Sequence, residues 1–119
     1  AVEPLVQIVR NGDEGEKAGA AWALSNIAVN ADNKVAIARA GAVDPLVLLL
    51  QTGDTEGKAG AAATLRGLAV NADNQVSIVH AKAVDPLVQL LRTGDVKGKG
   101  KAARTLWNLA VNDDNKVVI

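Results

Sequence analysis

Apolar positions along this chain of 119 residues recur at helical spacing. The stretch from Glu56 to Val70 is rich in alanine. Within it, Ala61, Leu65 and Leu68 fall at i, i+4 and i+7, as on the buried face of an amphipathic helix. The preceding run PLVLLLQT ends at Gly53, where Gly-Asp signals a turn. The pattern therefore predicts an all-α chain.

The same pattern repeats with a period of about 41 residues. The hexapeptide AVEPLV begins at Ala1, and AVDPLV begins at Ala42 and again at Ala83. The turn NGD or TGD and the segment AVNADN or AVNDDN keep the same spacing. These repeats predict one domain, 1–119, built from three units at 1–41, 42–82 and 83–119.

Each unit is predicted to contain three helices. An acidic residue at the cap, with proline at the first helical position, opens one helix per unit: Glu3-Pro4, Asp44-Pro45 and Asp85-Pro86. The Ala-rich stretch forms a longer helix. A short helix is predicted in each unit, with an aspartate as its cap: Asp32, Asp73 and Asp114. In the first unit it ends at Gly41, because glycine adopts the left-handed conformation of a helix end.

Two segments make the chain similar to the armadillo repeat family: GAVDPLV at 41–47 and AAWALSNIA at 20–28. The resemblance covers the whole chain and implies a right-handed armadillo-like α-solenoid of three-helix repeats. HEAT repeats have two helices per unit and do not account for the short DNKVAI helix. In the family frame the chain begins at the second helix of a repeat and ends within a first helix, as a fragment or an engineered piece of a longer array would. One departure is Lys82, which replaces the turn glycine Gly41.

The resemblance also implies a binding surface, because the third helices of armadillo proteins line a concave groove. On a helical wheel with Leu24 pointing inward, Trp22 and Asn26 fall on the opposite face. The family assigns this Asn to the main chain of an extended peptide and this Trp to the stems of its side chains. The alternative is that Trp22 packs against a neighbouring helix while Asn26 only faces solvent.

The other two units depart from this pair. The second unit has Ala63 and Gly67 at the two positions, whereas the third has Arg104 and Asn108. The ladder of binding residues is therefore broken in the middle. The predicted groove as a whole consists of Trp22, Ser25, Asn26, Arg66, Lys97, Lys101, Arg104, Trp107 and Asn108.

The third unit also carries a line of positive charge. Lys97, Lys101 and Arg104 fall at i, i+4 and i+7, and Arg66 of the second unit is expected near the same side. A groove that is basic toward its C-terminal end favours an acidic or phosphorylated segment as the partner. The alternative is a solvated lysine face without a ligand.

Composition narrows the chemistry further. The chain balances 13 basic and 13 acidic residues, which gives no overall field to attract nucleic acid or a membrane surface. It has no cysteine and a single histidine, His80, so we expect no metal site and no cofactor. No nucleophile with its base can be assembled, which predicts a protein that is not an enzyme. The absence of an N-terminal targeting pattern favours a cytoplasmic or nuclear location.

A second functional class remains open, namely a repeat fragment or engineered building block that assembles with itself. Without neighbouring repeats the two ends of the chain would present apolar residues to another copy. The predicted contact set is Leu5, Val6, Ile8 and Val9 at one end and Val117, Val118 and Ile119 at the other.

Overall fold

The computed structural model describes residues 2–111, which form eight α-helices and contain no β-strand. The all-α prediction is therefore confirmed. In chain order the helices are α1 (Val2–Asn11), α2 (Glu14–Ile27), α3 (Ala31–Arg39), α4 (Val43–Thr52), α5 (Thr55–Leu68), α6 (Ala72–His80), α7 (Val84–Thr93) and α8 (Val96–Ala110).

The three long helices α2, α5 and α8 stack side by side and form the spine of the fold. The most extensive contacts between helices join α2 to α5 and α5 to α8. Leu24 and Leu65 are fully buried there, at equivalent positions of two repeats. The hydroxyl of Thr64 donates to the carbonyl oxygen of Ala21 at 2.7 Å, and an equivalent bond runs from Thr105. Each unit thus packs on the previous one through the same face.

Aspartates start the long helices. The side chains of Asp13, Asp54 and Asp95 each accept a hydrogen bond at 2.8 Å from the backbone N–H three residues later. The bond satisfies one of the first N–H groups of a helix, which have no partner within it. The Gly-Asp turns seen in the sequence are therefore the N-caps of α2, α5 and α8.

The short helices begin two residues earlier than predicted. The N-caps of α3 and α6 are Asn30 and Asn71, whose side chains accept hydrogen bonds from two backbone N–H groups each. Asp32 and Asp73 lie in the first turn, where a negative charge interacts favourably with the helix dipole. The assignment of these aspartates as caps was wrong, and Asp114 lies outside the described residues.

The prolines do not occupy the first helical position of α4 and α7. These helices begin at Val43 and Val84, after the N-caps Ala42 and Ala83, and neither cap makes a side-chain hydrogen bond. Proline is therefore the third residue of each helix. An N–H at this position would have no carbonyl partner within the helix, so its absence costs no hydrogen bond. The chain enters these helices directly from the preceding turn, so an acidic cap is not needed.

That preceding turn has the same shape in two repeats despite different residues. Gly41 has φ 78° and Lys82 has φ 67°, both in the left-handed region. In each turn the backbone N–H of the next residue donates a hydrogen bond to a carbonyl oxygen in the last turn of the preceding helix. Ala42 donates to Ile37 at 3.4 Å, and Ala83 donates to Ile78 at 3.3 Å. The lysine therefore adopts the glycine conformation although its Cβ disfavours it.

The apolar face of α1 is turned inward. Val6 and Val9 are 0% and 3% exposed, because α1 packs against α2. The prediction that these two valines are presented to another copy was wrong. Leu5 is partly buried and Ile8 is exposed, whereas Val117, Val118 and Ile119 lie outside the described residues.

A helix that crosses a bilayer needs about 20 predominantly apolar residues. Among residues 2–111, no single helix is long and apolar enough to do so. The helices α3 and α4 together satisfy the length and composition, but they are bent by 82° at their junction.

Candidate functional site

Trp22 lies on α2 with one edge of its indole against α5. Gly60 provides the space, because a Cβ there would come within 3.1 Å of the indole Cδ1 and 3.2 Å of Nε1. The Nε1 atom is buried and has no hydrogen-bond acceptor in the described part of the chain. Asn26, one turn later, is exposed. One edge of the Trp22 indole therefore packs against a neighbouring helix, as the alternative to a peptide-binding role expects.

The ring face of Trp22 has a second neighbour, from the third repeat. The Nζ atom of Lys97 on α8 lies 5.1 Å from the ring centroid, within the range of a cation–π interaction. Helix α5 lies between α2 and α8 and packs against both. Lys97 therefore reaches across the middle helix to the indole of the first repeat.

The positively charged residues gather on one surface, as the sequence predicted. The pKa of Lys101 is lowered, first by partial burial and then by the charges of Arg66, Arg104 and Lys97. All three of these charges are positive, and Arg66 comes from the neighbouring repeat. The cluster of Arg66, Lys97, Lys101 and Arg104, which we term the basic cluster, thus spans α5 and α8. Lys97 and Arg104 are exposed, which is also expected of a solvated lysine face without a ligand. Arg66 and Lys101, in contrast, are partly buried.

A cleft of about 480 Å³ lies beside the basic cluster. Its floor includes Ala63 and Gly67, the two small residues that interrupt the ladder in the second unit. At Gly67 the backbone of α5 comes so close to α2 that a Cβ would lie 3.2 Å from the Cβ of Ala28. The break in the ladder is therefore a cavity, which we term the central cleft. It is lined by Ser25, Ala28, Val29, Lys34, Ala63, Arg66, Gly67, Val70, Arg104, Trp107 and Asn108.

The third repeat contributes an aromatic and an amide to this cleft. Trp107 is 68% exposed. Asn108 is partly buried, and its Nδ2 donates to the carbonyl oxygen of Arg66 at 3.4 Å, near the limit of a hydrogen bond. Of the predicted groove residues, the cleft brings together Ser25, Arg66, Arg104, Trp107 and Asn108. The others lie beside it: Trp22 and Lys97 in contact with each other, Lys101 within the basic cluster, and Asn26 exposed on α2.

Sequence reasoning missed the valines at the ends of the long helices. Val29, Val70 and Val111 occupy equivalent positions in the three repeats, and all are more than half exposed. The first two line the central cleft, together with Lys34, which was also missed. Their signal was present, since an apolar residue recurs just after each long helix and before the polar segment NADN or NDDN.

Among residues 2–111 no three His, Cys, Asp or Glu side chains come close enough to share an ion.

The family follows from sequence comparison. The Armadillo/beta-catenin-like repeat matches residues 30–70 and again 71–111, which together make up more than half of the chain. The chain therefore belongs to the armadillo repeat family. The two matched units begin at Asn30 and Asn71, the N-caps of α3 and α6. No curated protein is significantly similar to this chain in sequence.

Solved structures agree with this assignment. An engineered protein is 35% identical with a TM-score of 0.89, over 98% of this chain and 48% of its own. A designed armadillo repeat protein in complex with the peptide (KR)4 is 28% identical with a TM-score of 0.88, over 99% and 50%. A third structure, of computationally designed armadillo repeat proteins for modular peptide recognition, is 29% identical with a TM-score of 0.88, over 97% and 49%. The chain spans about half the length of these proteins.

Proposed function

We propose that this armadillo repeat chain is a non-enzymatic scaffold that binds an extended acidic segment of another polypeptide along α2, α5 and α8. The observation that carries the proposal is the basic cluster, in which the charges of Arg66, Arg104 and Lys97, together with partial burial, lower the pKa of Lys101. Like charges held together repel one another, and a ligand with carboxylates relieves that repulsion as it binds. The exposed Trp107 beside the cluster adds a flat apolar surface for ligand side chains.

Two similar structures support peptide binding by this fold. One is of computationally designed armadillo repeat proteins for modular peptide recognition, and the other is a designed armadillo repeat protein in complex with the peptide (KR)4. That peptide is entirely basic. On the present chain a basic peptide would meet Lys101 and Arg104, so we propose the opposite charge preference. The shared fold supports a peptide as the ligand, and the cations of this groove support an acidic one.

The remaining groove residues have proposed roles in holding the peptide main chain. Asn26 is exposed on α2, and an amide can both donate to and accept from a peptide backbone. Asn108 occupies the equivalent position on α8 and makes only a long hydrogen bond within the chain. We propose that these two amides hold the ligand on either side of the central cleft, with Ser25 as a further hydroxyl partner.

Fluorescence anisotropy with labelled peptides tests the proposal. An acidic (DE)4 peptide should bind, with an affinity that falls between about 0.05 M and about 0.2 M salt because the Debye length shortens. The (KR)4 peptide and a neutral (SG)4 peptide should bind much more weakly. Equal affinity for the acidic and basic peptides would contradict a charge-selective groove, and no binding to any of them would contradict the scaffold function.

Self-association through the chain ends is the second candidate, and Ile8 is the observation that favours it. Ile8 is 38% exposed on α1, and Leu5 beside it is only partly buried. Val6 and Val9 are occupied within the chain and do not contribute. Sedimentation at micromolar concentration should show species heavier than a monomer if this function holds, and Ile8→Lys should restore the monomer. A monomer at every concentration would exclude it.

A further inference from the structure

We infer that the central cleft receives an aryl phosphate, namely the side chain of a phosphotyrosine in the bound segment. The inference rests on the proposed function, because it assigns one residue of the acidic ligand to one place in the groove. It depends on three features of the cleft: its size, the mixture of apolar and cationic side chains in its lining, and its positive charge.

The size of the cleft requires a large side chain. The first repeat has Trp22 and Asn26 where the second has Ala63 and Gly67, so the middle repeat supplies a floor in place of protruding side chains. The volume of about 480 Å³ falls within the range of about 300–1,000 Å³ that small-molecule sites occupy. A single aspartate or glutamate would leave most of this space empty.

The lining of the cleft is of two chemical kinds. Trp107, Val29 and Val70 contribute apolar surface, and these side chains are exposed. Arg66, Arg104 and Lys34 contribute cations. A flat ring that carries an anion at its far end can contact both kinds of side chain at once. Phosphoserine offers the anion without the ring, and tyrosine offers the ring without the charge.

The charge of the cleft favours a dianion over a carboxylate. A phosphorylated side chain carries about −1.5 to −2 charges at neutral pH, whereas a carboxylate carries one. The guanidinium groups of Arg66 and Arg104 can each present two N–H donors to phosphate oxygens. Their charges already lower the pKa of Lys101, so a dianion between them relieves more repulsion than a monoanion does.

A set of peptides with one variable position tests the inference. The acidic segment is synthesised with a central Tyr, phosphotyrosine, phosphoserine or Glu, and each affinity is measured by anisotropy. The phosphotyrosine peptide should bind about tenfold or more tightly than the Tyr and Glu peptides, with phosphoserine between them. Its advantage should grow as the pH rises through about 6, where the phosphate loses its second proton. A phosphotyrosine peptide that binds no better than the phosphoserine or Glu peptide overturns the inference and leaves the acidic groove in place.

Two variants and a matched control locate the site. Trp107→Ala removes the exposed indole and should abolish the preference for phosphotyrosine over phosphoserine while the Glu peptide still binds. Gly67→Asn restores the family's ladder residue, fills the cleft and should have the same effect, provided that circular dichroism shows intact helices despite its Cβ at 3.2 Å from that of Ala28. Lys97→Gln lies outside the cleft lining, so it should weaken all four peptides by a similar factor. An unchanged preference in Trp107→Ala places the aryl phosphate elsewhere and overturns the assignment.

Phenyl phosphate separates this inference from the proposed function. In two-dimensional NMR spectra, the indole N–H signal of Trp107 should shift on addition of phenyl phosphate and less on addition of phenol or inorganic phosphate. That result supports the cleft assignment even if no acidic peptide binds and the scaffold function fails. No shift of the signal at millimolar phenyl phosphate overturns the inference, whatever the acidic peptides do.

Discussion

Lys97 places its ammonium nitrogen 5.1 Å from the ring centroid of Trp22, although the two residues belong to the third and first repeats. Helix α5 lies between the two helices that carry them and packs against both. At Gly60 it has no side chain beside the indole of Trp22. The first and third repeats therefore interact directly across the second.

Substitutions at Trp22 and Asn26 should separate packing from binding. Trp22→Ala removes an indole whose edge packs against Gly60, so we expect a loss of about 2 kcal/mol in unfolding free energy, below the 3–5 kcal/mol of a fully buried tryptophan. Asn26→Ala removes an exposed amide and should change stability by less than about 0.5 kcal/mol. Both variants should retain their helix content and bind the acidic peptide more weakly. Urea unfolding and circular dichroism give the first two quantities, and a large loss of stability in Asn26→Ala would contradict its exposed position.

The bond between repeats at Thr64 should contribute measurably to stability. Thr64→Val keeps the shape of the side chain but removes a buried hydroxyl that donates to the carbonyl of Ala21 at 2.7 Å. We expect a loss of about 1 kcal/mol, the net value of a buried hydrogen bond. Thr52→Val is the matched control, because the Thr52 hydroxyl donates to Leu48 at 2.9 Å on the exposed side of α4. Similar effects of the two substitutions in urea unfolding would mean that the contact between α2 and α5 does not depend on this bond.

The left-handed turn at Lys82 offers a stabilising substitution. Lys82→Gly should raise the unfolding free energy by about 1 kcal/mol, because glycine adopts φ 67° without the steric cost that a Cβ imposes. Gly41→Ala is the reverse experiment in the preceding repeat and should lower stability by a similar amount, since Gly41 has φ 78°. Thermal and urea unfolding measure both. A destabilised Lys82→Gly protein would show that the lysine side chain makes a contribution greater than the strain of its backbone.

Reversal of one charge in the basic cluster should change both the affinity and its salt dependence. Arg104→Glu places a carboxylate beside Lys101 and should weaken the acidic peptide at low salt by about tenfold. The remaining affinity should depend less on salt, because fewer cations then attract the ligand. Lys17→Glu on α2, which is absent from the cleft lining and from the basic cluster, is the control for net charge. Unchanged binding in Arg104→Glu at low salt would show that the cluster is only a solvated face.

Local features allowed the sequence to determine the helices and their repetition. The turn at Gly53-Asp54 and the turn glycine Gly41 act within a few residues of their own position, so they are readable in the chain itself. The sequence did not determine which residue caps the short helix, because the side chains of Asn30 and Asp32 can both cap a helix. The path of the backbone selects Asn30. The basic cluster was also predictable, since three of its members share one helix at i, i+4 and i+7.

Tertiary structure alone determined the shape of the groove. Ala63 and Gly67 appeared in the sequence as a loss of binding residues, yet between α2 and α8 they form the floor of a cleft. The contact of Lys97 with Trp22 joins residues that are far apart in sequence, and no local pattern encodes it. The burial of Val6 likewise depends on the way α1 lies against α2. Space, solvent exposure and contacts between repeats arise only when helices distant in sequence pack together, because each helix then covers or uncovers the surface of its neighbours.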